Sequence, residues 1–555
     1  MKTNNNIINN NNSIFVNTTP FADDFNVISR NKIQHQKLIS DIEDKIKSMG
    51  LVIKPSKCSS LSIQSGRSSD ILFHLSTESE KIPIGLVKDK PMKFLGSFVT
   101  ALNKPSDMFE FLSEKLETKL KNIDNCSLRG EHKLKIYSNY ALTSMRYHLS
   151  VHDIHKTHLD KLDAIAKKYL KKWLNIPSHG ASDIAIFHPY LLSVKSPSQL
   201  YKEGHAGNYT LMRIKGDQLV NHTLDSRLEK ESSWINKSST ILQCHQLLEQ
   251  NIENDNIFIP SQLNCPDVQH ARRHEIPRAK KAIKKSIEEE TLDTWNKRVE
   301  KLTMQGDFAN LLIQEKENVT WQALIKNVPR GIMSFALNSV TNTLPSPDNL
   351  KRWGKRVVSK CPLCNNTGTL EHILNFCQVA LTQKRYNYRH DSVLNHLARV
   401  IIANKPDDLE VYADLPGLDL NGSTIPPDIL VTLSRPDLVI INRRTKSVYL
   451  LELTCSFERN ILAANLRKTT KYTSLKSDIE SAGYSCNLIP FEIGSRGHVT
   501  RGNRINIVNT FIQHKINSNA LKCIKQLSKI SLLCSFSIFH AYKHPSWRSP
   551  PFLTP

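Results

Sequence analysis

A cysteine–histidine cluster in this sequence has the spacing of a metal site. Cys361, Cys364, His372 and Cys377 follow the pattern C-x2-C-x7-H-x4-C. A structural zinc ion takes four thiolate or imidazole ligands in a tetrahedron, and a C-x2-C turn supplies two of them. Residues 369–376 are expected to form the short helix that carries the histidine. The pattern predicts a Zn²⁺ site; the alternative is a set of buried free cysteines beside an ordinary histidine.

Two carboxylates near the C-terminus have the second chemically informative arrangement. Asp437 begins one apolar strand and Glu452 lies inside the next, with a polar loop at 442–447 between them. If Ile441 and Val448 face each other, antiparallel pairing puts Asp437 opposite Glu452, with Cβ atoms about 4.5–5.5 Å apart. Carboxylates this close are destabilising unless a cation is bound, and Mg²⁺ suits such oxygen ligands. We therefore predict a Mg²⁺ site here, against the alternative of an exposed acidic hairpin.

A basic helix is predicted directly after this hairpin, over residues 458–472. Lys468 and Lys471 share one of its faces at a spacing of three. A lysine beside a metal ion can orient the attacking water or stabilise charge that develops on a phosphate. Two carboxylates and a lysine together predict metal-dependent hydrolysis of a phosphodiester. The sequence does not decide between the two lysines.

An acidic turn near the N-terminus forms the third group. Asp23 and Asp24 stand in the turn Phe21-Ala22-Asp23-Asp24, between two apolar segments. Paired carboxylates at the tip of a hairpin are what two-metal phosphoryl transfer requires, again with Mg²⁺. An ordinary acidic surface turn is the alternative for so short a motif.

Composition limits the class of protein to which these groups belong. The 555 residues carry a formal net charge of +23, which favours a polyanionic partner, nucleic acid before an anionic membrane surface. No apolar run reaches the ~18–20 residues that a membrane helix needs, so we expect no integral membrane protein. Eleven cysteines, with no secretory h-region at the N-terminus, indicate a reducing compartment.

Hydrophobic periodicity predicts the elements that position these groups, in a mixed α/β multidomain fold. Residues 1–13 form an Asn-rich tract that we expect to be disordered. Residues 14–100 read as strand–turn–strand–helix–strand, with short apolar runs at 14–16, 25–28, 50–53 and 94–98. Residues 105–180 read as helical. A helical connector with a loop near 250–275 follows. Residues 430–495 read as strand–turn–strand–helix–strand, and helix continues from 500 to about 540 before a Pro-rich tail.

The predicted helix near residue 170 is strongly basic. Its flank carries Lys167, Lys168, Lys171 and Lys172, which we expect to contact nucleic-acid phosphates. Tyr169 and Trp173 lie on its apolar stripe and are expected in the core. A second basic stretch, residues 278–285, is more simply a solvated charged face.

The order of these motifs resembles that of site-specific non-LTR retrotransposon reverse transcriptases with a restriction-like endonuclease. Three N-terminal segments are similar to successive palm motifs of reverse transcriptases: Pro20–Ile28, Gly50–Cys58 and Lys93–Ser97. Pro436-Asp437, fourteen further residues and Glu452 resemble the PD-(D/E)xK nucleases, with Thr454 where the usual lysine stands. Segments around the cysteine cluster and the hairpin also resemble this class: Leu337–Ser339, Thr343–Pro345, Trp353–Lys355, Arg389–Asp391, Phe457–Glu458 and Pro490–Gly494.

The resemblance implies a succession of domains. After the Asn-rich tail these are a partial reverse-transcriptase palm (14–104), a helical thumb (105–180), a helical linker (181–354), a CCHC zinc knuckle (355–380), an α/β PD-(D/E)xK nuclease domain (381–515), and a C-terminal helix and tail (516–555). Within this scheme Asp437 and Glu452 are the metal ligands, and Lys468 or Lys471 is the catalytic lysine. Arg389, His390 and Asp391 touch DNA or support the site, unless His390 only begins a helix.

The implied function is that of a retrotransposon fragment which nicks target DNA. Its partners are the DNA target and the element RNA, and these substrates imply a nuclear location. We expect no membrane partner, and the sequence leaves the oligomeric state undetermined. Residues 1–20 contain no Asp or Glu, so we expect the polymerase metal site of Asp23 and Asp24 to be incomplete within this chain. The alternative is a non-catalytic nucleic-acid-binding remnant that uses the zinc knuckle and the basic helices.

Overall fold

The computed structural model describes residues 18–21, 24–76, 80–90, 92–100, 105–233, 240–257, 268–316, 319–325, 328–420 and 422–551. The chain divides into two compact units, each of several segments. The first comprises Met1–Lys119, Ala141–Ile165 and Pro197–Ile287, and the second comprises Leu120–Tyr140, Ala166–Ser196 and Glu288–Pro555. Both helices and sheets are present, as the predicted mixed α/β class requires. Within the described ranges, no helix is long and apolar enough to cross a membrane.

The N-terminal part of the chain begins with a hairpin and a helix. Strands β1 (Thr18–Phe21) and β2 (Asp24–Val27) pair antiparallel. Helix α1 (Lys32–Ser48) begins after Asn31, whose side chain accepts a hydrogen bond from the Ile33 amide at 2.8 Å. This N-cap satisfies one of the amides that a helix start leaves unpaired. Hairpin and helix were both predicted, whereas the predicted strand at 14–16 lies outside the described residues.

Short strands follow α1: β3 (Ser59–Ser60), β4 (Ser62–Gln64), β5 (Arg67–Ser69), β6 (His74–Ser76), β7 (Lys81–Pro83), β8 (Gly85–Leu86), β9 (Met92–Phe94) and β10 (Ser97–Val99). The strand predicted at 50–53 is wrong, because Leu51 and Val52 are 60% and 86% exposed on an irregular segment. The apolar segment at 94–98 is two strands rather than one, since Leu95 and Gly96 take positive φ angles of 47° and 79° and turn the chain.

Helices dominate the next part, as predicted for 105–180: α2 (Pro105–Asn125), α3 (Gly130–Ile136), α4 (Arg146–Val151), α5 (Lys156–Leu174), α6 (Ile184–Phe187), α7 (Pro197–Lys215), α8 (Gln218–Ser233), α9 (Thr240–Glu253), α10 (Val268–Glu300), α11 (Asp307–Glu315), α12 (Val319–Ile325), α13 (Arg330–Val340) and α14 (Pro347–Arg352). The predicted loop near 250–275 is too long, because α10 already begins at Val268. Helix α10 continues through Pro277 despite the amide that proline lacks.

The C-terminal part holds a four-stranded sheet between helices: α15 (Gln378–Thr382), α16 (Arg385–Asn404), β11 (Leu409–Ala413), β12 (Leu438–Asn442), β13 (Ser447–Ser456), α17 (Ile461–Ser481), β14 (Ser485–Gly494), α18 (Arg501–Gln513) and α19 (Ala520–Ala541). The strand order is β11-β12-β13-β14, with β13 and β14 parallel and the other pairs antiparallel. The predicted strand–turn–strand–helix–strand pattern over 430–495 is confirmed by β12, β13, α17 and β14.

Each face of this sheet is covered by helices. Val439 and Leu450 belong to one apolar cluster with Tyr472 and Leu475 of α17. Alternate residues such as Leu451 point to the opposite face and pack with α16, α18 and α19. Because successive strand residues alternate between faces, one face of β12, β13 and β14 is directed at α17. Asp437 and Glu452 belong to that face.

Candidate functional site

Asp437 and Glu452 lie opposite each other in the register that the sequence predicted. Ile441 pairs with Val448 and Leu438 pairs with Leu451, which brings the next position of each strand together. The Asp437 amide donates to Glu452 Oε1 at 3.1 Å, and the Leu453 amide donates to Asp437 Oδ2 at 2.8 Å. The two acids are only 7% and 0% exposed. An exposed acidic hairpin, the alternative considered from the sequence, is therefore wrong.

Lys468 joins the two carboxylates, and Lys471 does not. Lys468 Nζ lies 2.8 Å from Glu452 Oε2 and 3.2 Å from Asp437 Oδ2. Lys471 instead donates to the Tyr472 hydroxyl at 2.8 Å and lies over the tyrosine ring. An ammonium group thus occupies the position between the carboxylates where buried negative charge needs a cation. The same oxygen donors suit Mg²⁺.

Helix α17 sets the position of Lys468. It buries Ala464, Tyr472 and Leu475 among its sheet-facing residues, and Lys468 stands four residues after the first of these and four before the second. Residues four apart lie on the same helix face. The Tyr472 hydroxyl donates to the Arg435 carbonyl at 3.2 Å and fixes α17 beside the Pro436-Asp437 turn. Sequence analysis gave Tyr472 no role, although its spacing from Lys468 was a usable signal.

His390 also reaches the carboxylates. Its Nδ1 lies 2.9 Å from Asp391 Oδ1, and its Nε2 lies 3.5 Å from Asp437 Oδ2. Helix α16 has Lys384 as its N-cap, so the alternative that His390 begins a helix is wrong. Arg389 is buried and donates to Ser535 Oγ and to the Cys455 carbonyl. The prediction that Arg389 contacts DNA is therefore also wrong, because its guanidinium is used inside the protein.

The charges at this site are strongly coupled. Burial raises the pKa of Glu452, and the neighbouring Asp437 raises it further. Burial would also raise the pKa of Asp437, but His390 and Lys468 hold it well below its usual range. Burial lowers the pKa of His390, yet Asp391 and Asp437 outweigh that effect and raise it to about 10. At neutral pH two cationic side chains therefore compensate the buried acids.

The cysteine–histidine cluster is assembled as predicted. The ligand atoms of Cys361, Cys364, His372 and Cys377 all lie within 4.8 Å of one another. A zinc tetrahedron with Zn–S bonds of ~2.3 Å places its ligand atoms about 3.8 Å apart, so the four residues fit a Zn²⁺ ion. Burial, with the neighbouring thiols, raises the pKa of Cys377 to about 12. A metal ion would offset that cost by binding the thiolate form.

The zinc module is joined to the carboxylate hairpin by polar contacts. The helical turn at 370–376 carries Glu371, which forms a two-point ion pair with Arg459 and accepts a bond from Asn460 at 2.7 Å. Asn375 donates to the Cys455 carbonyl at 3.0 Å, three residues beyond Glu452. The module therefore buttresses the end of β13 and the start of α17.

The basic flank of α5 is mostly engaged within the protein. Lys171 is only 6% exposed and donates to the Ala181 carbonyl at 2.6 Å, so its predicted contact with nucleic acid is wrong. Lys172 lies 2.6 Å from Asp124 and Lys167 lies 3.6 Å from Asp183. Lys168 is exposed. On the apolar stripe of the same helix, Trp173 is buried as predicted, whereas Tyr169 is only half-buried.

The structure describes only part of the acidic turn near the N-terminus. Asp24 begins β2 and pairs with Phe21, so the turn is the tip of a hairpin, as predicted. Asp23 lies outside the described residues, and the side chain of Asp24 is not among the described side chains.

Two segments of the chain match known protein families. Residues 306–383 match the family described as zinc-binding in reverse transcriptase, which includes the whole cysteine–histidine cluster. Residues 3–99 match the family described as reverse transcriptase (RNA-dependent DNA polymerase). These matches support a retrotransposon-type reverse transcriptase. No curated protein matches the chain. Residues 384–555, with the Asp437–Glu452 pair, lie outside both matched segments.

Proposed function

We propose that the chain is part of a non-LTR retrotransposon reverse transcriptase whose residues 381–515 nick DNA by Mg²⁺-dependent hydrolysis. The observation that carries the proposal is the convergence of Asp437, Glu452 and Lys468 on one buried point, with His390 behind it. A non-catalytic remnant would not need this convergence. Strongly perturbed pKa values of buried acids cluster at catalytic centres, which supports this assignment.

The residues of this site divide the hydrolytic work between them. Asp437 and Glu452 would hold Mg²⁺, which supplies Lewis acidity to the phosphate and acidifies a coordinated water. Lys468 would then turn from the carboxylates to the scissile phosphate, where its charge stabilises the transition state. His390, held by Asp391, fixes the orientation of Asp437 through its second nitrogen. Water adds to phosphorus and the ester oxygen leaves, so no further reactant is needed.

The N-terminal segment carries the polymerase part of the proposal, a reverse-transcriptase domain that we expect to be inactive in this chain alone. In the proposed function Asp23 and Asp24 are Mg²⁺ ligands of an RNA-directed DNA polymerase, and the partners are element RNA and target DNA in the nucleus. Only the hairpin fold and the family match of residues 3–99 support this part. Incorporation of nucleotides on a primed RNA by this chain would contradict our expectation that its polymerase site is incomplete.

A plasmid-nicking assay with Mg²⁺ tests the endonuclease. Wild-type protein should convert supercoiled plasmid to nicked circles, and Asp437→Ala should lower the rate by about a hundredfold or more, since a metal ligand is lost. Glu480→Gln removes an exposed carboxylate of α17 and is the matched control. Equal nicking by wild type and Asp437→Ala would remove the assigned site and leave the nucleic-acid-binding alternative.

A further inference from the structure

Two buried oxygen atoms next to the carboxylate pair have no hydrogen-bond partner within the described part of the chain. They are Oε1 of Glu492 on β14 and Oγ1 of Thr454 on β13. Glu492 is only 1% exposed, so water does not satisfy its carboxylate from outside. Buried polar atoms are almost always paired, and an unpaired carboxylate oxygen indicates that a water or an ion belongs beside it.

Both atoms lie on the face of the sheet that carries Asp437 and Glu452. Thr454 stands two residues after Glu452 on β13, and side chains two apart point to the same face. Glu492 pairs with Thr454 across the parallel β13–β14 ladder. Neighbouring strands are about 4.8 Å apart, so Glu492 is adjacent to Thr454 and diagonal to Glu452.

Helix α17 covers Glu492 and Thr454 as it covers Asp437 and Glu452. Asn465 stands three residues before Lys468, and it donates a hydrogen bond to the Glu492 carboxyl group. Asn503 of α18 donates to the backbone carbonyl of Glu492 at 3.0 Å, which holds β14 in place. The neighbouring buried acid, Glu458, has a full ion pair with Arg496 at 2.6 Å. Asn465 and Asn503 both contact the Glu492 carboxyl group, yet its Oε1 atom keeps no hydrogen-bond partner in the described part of the chain.

We propose that Glu492 and Thr454 bind a second divalent cation beside the one held by Asp437 and Glu452. The inference rests on the proposed nuclease function and adds a second metal position to that site. Carboxylate and hydroxyl oxygens are hard ligands that suit Mg²⁺ or Mn²⁺. In two-ion sites the metals lie about 3.5–4 Å apart, and the second one stabilises the leaving oxygen. Glu452 stands between the two positions and can share its carboxylate.

Counting Mn²⁺ ions on the zinc-loaded full chain tests this proposal. Free Mn²⁺ is measured by electron paramagnetic resonance during a titration of wild type, Glu492→Gln and Thr454→Val. Glu492→Gln should bind one Mn²⁺ fewer than wild type, and Thr454→Val should bind one ion about tenfold more weakly, as expected for a lost supporting ligand. Glu480→Gln, which removes an exposed acid of the same helix, should match wild type.

The result that overturns the proposal is an unchanged Mn²⁺ count and affinity in Glu492→Gln that retains its zinc. If Glu492→Gln loses zinc because it does not fold, Thr454→Val decides, and wild-type Mn²⁺ binding by that variant rejects the second site. Failure of the nuclease itself is recognised separately, because it shows as unimpaired nicking by Asp437→Ala.

Discussion

The different positions of Lys468 and Lys471 depend on the residues that pack around them on α17. From the sequence they share a helix face, and both are within reach of a strand that precedes the helix. The structure separates them, because the apolar residues of α17 fix its rotation and point Lys468 at Glu452. Those apolar residues, Tyr472, Leu475 and Ile479, stand four, seven and eleven positions after Lys468. The spacing of these apolar residues was therefore a signal for Lys468 that the sequence analysis did not use.

This separation predicts different effects for the two lysines. Lys468→Ala should reduce the single-turnover nicking rate by about a hundredfold, because it removes the donor that stabilises the phosphate charge. Lys471→Ala should leave the rate within about threefold of wild type, since its ammonium lies on Tyr472. A larger loss of rate in Lys471→Ala than in Lys468→Ala would contradict the assignment of the catalytic lysine.

The pKa of Glu452 predicts a pH dependence for Mg²⁺. Burial and Asp437 raise that pKa to about 7. Protonation of Glu452 therefore contributes its full stabilisation below the pKa that the residue has in the unfolded chain, and this stabilisation is lost as pH rises through 7. The raised pKa of His390 also makes the folded protein less stable as pH rises, up to about pH 10. Lys468 stays protonated over this range because its pKa is raised. The lowered pKa of Asp437 affects stability only in acid. The metal-free protein therefore loses stability between pH 6 and pH 8.

Mg²⁺ binds the ionised carboxylates, so it should raise the melting temperature more at pH 8 than at pH 6. The Mg²⁺ affinity should fall by up to about tenfold for each pH unit below 7. Thermal unfolding with and without Mg²⁺ at the two pH values measures this effect, and Asp437→Asn should remove the difference. A Mg²⁺ stabilisation that is larger at pH 6 would show that Glu452 is not a ligand.

At the scale of elements, the hairpin was predictable and its surroundings were not. The polar loop at 442–447 sets the register of β12 and β13, so the opposition of Asp437 and Glu452 follows from loop length alone. The strand predicted at 50–53 failed because apolar composition does not report burial, and Leu51 and Val52 are exposed. Long-range contacts such as Arg389 with Ser535 left no periodic signal.

The zinc module shows how one element can support another. Because Glu371 and Asn375 hold the start of α17 and the end of β13, we expect zinc to stabilise the carboxylate site. Removing zinc with a chelator should lower the melting temperature and the nicking rate together, and both should recover when Zn²⁺ is restored.

Glu371→Gln separates the contact from the metal. It should retain one zinc per chain, measured by atomic absorption, and lose about 1 kcal/mol of stability, a small value because Arg459 is half exposed. Full nicking activity by zinc-free protein would contradict the supporting role of the module.

At the scale of the whole molecule, the net charge predicts the class of partner better than it predicts the position of the contact. The net charge of +23 indicates a polyanionic partner, but it does not show which basic residues make the contact. On α5, buried Lys171 and exposed Lys168 stand three residues apart with the same side chain. The sequence predicted the same phosphate contact for both lysines. It could not separate them, because burial of an ammonium group against a carbonyl depends on the fold around it.

These two lysines make a matched test of nucleic-acid binding. Anisotropy titrations of a labelled duplex at several salt concentrations give the number of phosphate contacts, since each contact adds about −0.9 to the log–log slope. Lys168→Ala should weaken binding to all sequences alike and reduce the slope by about one. Lys171→Met should keep the slope and instead lower stability by about 1–3 kcal/mol, because the Ala181 carbonyl loses its donor. A reduced slope in Lys171→Met, with unchanged stability, would mean that this lysine leaves its buried position to reach the phosphates.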